Sequence, residues 1–107
     1  MSDVFQEREN RFEKEFAHDE DLRFRAVARR NKAMALWIAD LKGLGPAESD
    51  KYAADFVAGH IGLGDAEVAA ALKADLKRAN VDLSEHRLMK RMEEEMAEAI
   101  ASVKAGR

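Results

Sequence analysis

The sequence predicts an all-α protein, a four-helix bundle carrying an N-terminal segment that is mobile and partly disordered when free. Three observations lead there. Alanine, glutamate, lysine, arginine, leucine and methionine dominate and β-branched residues are few, a composition that favours helix. No stretch alternates apolar with polar residues for long, whereas apolar residues recur at helical spacing in four places. Proline occurs once, and glycine collects at the breaks between those places, where it punctuates helices.

The first helix is expected over 19–42. It opens with Asp19, Glu20 and Asp21, carboxylates that favour the positive end of the helix dipole, and Met34, Trp37, Ile38 and Leu41 give its second half an apolar face. Gly43 at a C′ position and Pro46 at N1 mark the break into a second helix, 46–60, whose face is Tyr52, Phe56 and His60. Glycines ahead of Asp65, read as an N-cap, start a third helix over 65–79 with Val68, Leu72, Leu76 and Ala79 in phase. A capping box of Asp82 and Glu85 introduces a fourth, 83–103, where Leu88, Met92, Met96, Ala99 and Val103 form one stripe. Four amphipathic stripes joined by short connections are best satisfied as a bundle. The hexapeptides GLGPAE (43–48) and GLGDAE (62–67) resemble each other no further than those six residues, so they read as shared helix punctuation rather than a repeat.

A chain of 107 residues suits one domain with a modest core that needs neither metal nor disulfide. It has no cysteine, which removes disulfides, thiolate zinc sites and cysteine nucleophiles and agrees with a reducing compartment. The first ten residues lack a basic n-region and an apolar h-region, and the longest apolar run, 33–39, is far short of the roughly 20 residues a membrane span needs. A cytoplasmic protein without membrane insertion is expected. A net charge of −3 with 36% charged residues argues against a general nucleic-acid or membrane surface.

Residues 1–18 form a separate unit ahead of the bundle at 19–107. Their large apolar residues are Val4, Phe5, Phe12 and Phe16, and on a helical wheel the phenylalanines fall within a strip about 40° wide, well short of a core-facing stripe. Isolated helices of this length are marginal in water, so the segment is expected to be frayed when free, with helix available on demand. Surrounded by Glu7, Arg8, Glu9, Arg11, Glu13, Lys14 and Glu15, the strip has the form of a helix-in-groove ligand, with aromatic anchors for a partner's pocket and charges for register. It equally fits an ordinary N-terminal helix lying on its own bundle.

In RFRAVARRNK, Arg23, Arg25, Arg29, Arg30 and Lys32 flank Phe24 in the manner of a nucleic-acid contact. The acids at 19–21 and the acidic chain favour a solvated helical face paired with those carboxylates. Arg23, Arg30 and Trp37 stand seven apart on one face, which would set phosphate-binding guanidinium groups beside a stacking ring. GHIGLG follows no predicted strand and lacks the GK[ST] ending of a P-loop, so it reads as a plain connection. His18, His60 and His86 lie on separate elements without ligand spacing, hence no metal site is expected. The serines show no nucleophile elbow, and Met89, Met92 and Met96 read as adaptable core. No enzyme is expected.

FEKEFAHDEDLRFRAVARRNK followed by LWIADL resembles the zeta-subunit family, the small inhibitor proteins of the alphaproteobacterial F-type ATP synthase. The resemblance is most specific over 5–41, in RENRFEKEFAHDEDLRF and ARRNK, and the later helices agree in length and order. It implies a regulatory inhibitor whose N-terminal segment folds into a helix as it inserts at a catalytic α/β interface near the γ subunit. Val4, Phe5, Phe12 and Phe16 would contact the partner, with the phenylalanines as anchors. Arg8, Arg11 and Lys14 would pair with its carboxylates, and the bundle would act as a stop. Association with the cytoplasmic face of the inner membrane, through the synthase, follows from the same resemblance. Family members are also associated with adenine-nucleotide binding to the bundle. That makes ADP or ATP a ligand to consider at Arg23, Arg30 and Trp37, with no cofactor implied.

Overall fold

A computed structural model of the chain describes residues 19–106, and everything below concerns those residues. The expectations for residues 1–18, including the partner contacts assigned to Val4, Phe5, Arg8, Arg11, Phe12, Lys14 and Phe16, lie outside them. Four helices follow one another: α1 (Glu20–Leu41), α2 (Pro46–Gly59), α3 (Asp65–Arg78) and α4 (Glu85–Lys104). No strand is present among the described residues.

The helix ends show why the chain breaks where it does. Asp19 caps α1, its Oδ1 accepting from the Leu22 N–H at 3.1 Å, and so satisfies one of the donors that a helix start leaves unpaired. At the other end Gly43 adopts φ +78, while the Leu44 N–H donates to the Ala39 carbonyl and the Gly43 N–H to that of Asp40. This Schellman pair requires a left-handed residue, which glycine supplies without a steric penalty. Pro46 then occupies the first position of α2. The two similar hexapeptides are two copies of one helix start: Gly45 and Gly64 are both N-caps in extended conformation, and neither provides a side-chain cap. Asp65 is therefore the first residue of α3 and not its cap, because its carboxylate is directed elsewhere. The capping box expected at Asp82 and Glu85 is also displaced. Ser84 caps α4, its Oγ accepting from the Arg87 N–H at 3.1 Å, and this leaves Val81 and Leu83 free to pack against the core.

α1 is the hub, with α2 and α4 packed along it and α3 touching both α1 and α4 more lightly. The main core draws on all four helices: Met34, Ala35 and Ile38 of α1, Ala53 and Phe56 of α2, Val68, Ala69, Leu72 and Leu76 of α3, and Leu88 and Met92 of α4. Removing a side chain such as Leu72 from water contributes about 1.5–3 kcal/mol. A second, smaller cluster joins Ala26 of α1 to Ala99, Ile100 and Val103 of α4, flanked by Leu22 and Met96. The expected stripes therefore point inward, with exceptions at their edges. Leu41 and Met89 are exposed, so Met89 is not core. It lies one residue beyond the inward phase of Leu88 and Met92.

Candidate functional site

Arg23, Arg30 and Trp37 share a helix but have three different environments. Arg23 is exposed. Arg30 is only 2% exposed, which overturns its assignment to a solvated basic face. It stands one turn from both Ala26 and Met34 and therefore faces inward with them. A buried guanidinium has to be paired: Nη1 meets Asp65 Oδ1 at 2.9 Å and Nε donates to the Asn31 side-chain oxygen at 3.0 Å. Asn31 is itself buried, whereas the Asp65 side chain is 70% exposed. Arg30 Nη2 is buried without an acceptor among the described residues. Thus α1 is tied to the first residue of α3 by a charge contact that is dry on one side and wet on the other, and the Asp65 carboxylate is held there instead of capping its own helix.

Trp37 is half-buried and supports Arg91 of α4, whose guanidinium carbon lies 4.7 Å from the ring centroid. Arg91 Nε also donates to Glu95 Oε2 at 2.8 Å. The indole face is thus covered by a cation of the same chain, an arrangement worth about 0.5–1 kcal/mol at exposed sites.

The remaining basic residues are distributed differently from a continuous basic face. Arg25 pairs with Asp21 at 2.9 Å one turn away, as the solvated reading expects. Arg29 Nη1 donates to Ser102 Oγ on α4 at 2.6 Å. Along α2 the aromatic residues form a ladder in which Lys42 lies 4.4 Å over the Tyr52 ring, Tyr52 tilts against Phe56, and Phe56 stacks on His60 with centroids 4.0 Å apart. His60 Nδ1 lies 2.7 Å from the Phe56 carbonyl. A carbonyl only accepts, so Nδ1 carries the proton and His60 is engaged in closing α2. Among the described residues no group of three or more His, Cys, Asp or Glu could hold a metal ion, and no helix is long and apolar enough to cross a membrane.

Arg30, Asn31 and Asp65 form a polar tie that sequence reasoning did not assemble, although the phase of position 30 between Ala26 and Met34 carried the signal. The family model described as ATPase inhibitor subunit zeta matches residues 1–102 of the chain. No curated protein matches it significantly.

Proposed function

The chain belongs to the ATPase inhibitor subunit zeta family, whose members are regulatory rather than catalytic, and from that premise we propose that it restrains ATP hydrolysis by an F-type ATP synthase through its N-terminal segment. Residues 1–18 fold into a helix as they enter a catalytic α/β interface close to γ. Phe5, Phe12 and Phe16 act as anchors with Val4 beside them, and Arg8, Arg11 and Lys14 face carboxylates of the enzyme. The bundle limits how far the segment enters and holds the protein to the cytoplasmic side of the synthase.

One observation carries this reading. The family match runs through residues 1–18 as well as the bundle, so the segment that carries the phenylalanine strip lies within the region by which the family is defined. A segment that must be ordered or released to reach its partner gives up part of the contact energy, and this keeps the complex releasable. The test is ATP hydrolysis by the purified synthase from the same source, titrated with the intact chain and with a version lacking residues 1–16. Inhibition by the intact chain alone supports the reading; inhibition by both, or by neither, overturns it.

A second reading, adenine-nucleotide binding to the bundle, is favoured by the buried Arg30 Nη2, which lacks an acceptor among the described residues that a phosphate oxygen would supply. It predicts heat on titrating ADP or ATP into the intact chain, lost in Arg30→Met; silence in both titrations rules it out.

A further inference from the structure

An open groove with a volume of about 660 Å³ runs between α1 and α2. Its floor is made of small side chains, among them Ala28, Ala53, Ala54 and Ala58, and Ile61 closes one end. Ile61 is 60% exposed, and Phe24, one turn before Ala28 on α1, is 54% exposed. These are the most exposed large apolar side chains among the described residues. Two cations, Arg29 and Lys32, stand on the α1 wall and one carboxylate, Asp50, on the α2 wall; neither cation has a carboxylate partner among the described residues, and Arg29 is held by Ser102 of α4. Alanine floors admit aromatic rings closely, and a lining with two cations to one carboxylate favours an acidic occupant.

We propose that this groove is the resting seat of residues 1–18 of the same chain, so that the segment must leave its own bundle before it can engage an ATPase. The clause about the ATPase rests on the inhibitory reading above; the seat itself does not. Three features identify the occupant. The segment carries a narrow strip of three phenylalanines and needs only a narrow groove. It has five acidic and three basic side chains, complementary to Arg29 and Lys32. Its length also fits: Ala28 to Lys32 lie about 12–18 Å along the axis from the start of α1, and a helix over 5–16 folding back from Asp19 covers about 17 Å. With Phe16 beside the start of α1, Phe12 then comes level with Phe24, Glu9 with Ala28 and Arg29, and Phe5 with Lys32 at the far end.

The chain has no cysteine, so Glu9→Cys accepts a single nitroxide label in the full-length protein. With the label oxidised, the amide signals of Ala28, Ala54 and Ala58 are expected to lose most of their intensity, and those of Lys73 and Lys77 on α3 to keep theirs. Ala54→Glu alters an exposed helical position, keeps the helix and opposes an acidic segment, so it should restore the lost intensity. Unchanged groove signals in the labelled chain overturn the proposal. So does broadening that arises only when labelled and isotope-enriched chains are mixed, because the occupant is then a second copy. The ATPase titration is read separately. Broadening without inhibition keeps the seat and removes the inhibitory reading, while inhibition without broadening does the reverse.

Discussion

The Tyr52 hydroxyl donates to Asp75 Oδ2 at 2.5 Å and ties α2 to α3, helices whose backbones do not run alongside each other. Both reach the main core separately, so this contact and the buried residues beneath it set how α3 sits. Asp75 also pairs with Arg78 and accepts from the tyrosine as an ion, the stronger kind of hydrogen bond.

Tyr52→Phe should cost about 1–2 kcal/mol at neutral pH, since the ring contacts survive and only the charge-assisted bond is lost. Burial first, and the Asp75 hydrogen bond second, raise the Tyr52 phenol above its ordinary 10.0. A group whose folded pKa is raised contributes stability that is complete below the unfolded value and is lost as pH rises toward the folded one. Urea midpoints of wild type and variant should therefore differ by a constant amount up to about pH 10 and converge above it.

Asp65→Asn should destabilise far more than Asp55→Asn. Among the described residues Asp65 is the only carboxylate on a guanidinium that is 2% exposed, and removing one partner of a buried pair costs about 3–5 kcal/mol, reduced here to about 2–3 kcal/mol because Asp65 itself is largely solvated. Asp55 pairs with Lys51 entirely at the surface, where a pair is worth about 0–1 kcal/mol. Arg30→Met replaces the charge with apolar volume and should lie between them. Denaturant midpoints of the three variants rank these outcomes, and equal losses for Asp65→Asn and Asp55→Asn would refute the polar tie.

Arg91→Ala should uncover the ring of the single tryptophan and red-shift Trp37 emission, with a loss of about 0.5–1 kcal/mol. Glu95→Ala leaves the guanidinium free to stay over the ring and should move the spectrum less. A spectrum unchanged in Arg91→Ala would contradict the stacking.

Gly43→Ala should cost about 1–2 kcal/mol, because φ +78 places a Cβ against its own backbone. Asn80 occupies the equivalent left-handed position after α3, at φ 57, and Asn80→Gly should be neutral or slightly stabilising. Thermal melts of the two variants should move in different directions or by different amounts.

Helix number, order and inward faces are legible in the sequence because Met34 and Ile38, Val68 and Leu72, and Leu88 and Met92 repeat at helical spacing, and because Gly43 and Pro46 have few other uses. The caps are less legible. Asp65 and Asp82 are good capping residues, and only the tertiary pull of Arg30 on one, and the burial of Leu83 beside the other, shift the starts to Gly64 and Ser84. Arg30 is hidden for a related reason: five basic residues within ten look like one solvated surface, whereas helical phase separates them into an ion pair with Asp21, a bond to Ser102 and an interior tie. The Tyr52–Asp75 bond joins positions on different helices and left no local pattern at all.

The smaller core under the first turns of α1 has a consequence for how the molecule opens. Ala26, Ala99, Ile100 and Val103 form the smaller of the two clusters among the described residues, so this end is expected to open locally at a lower cost than the main core. Amide protons of Leu22 to Arg29 and Ala99 to Lys104 should exchange with solvent faster than those of Met34 to Leu41. Such faster exchange would mean that the start of α1 can open and lengthen the connection to residues 1–18 by several residues while the main core stays folded.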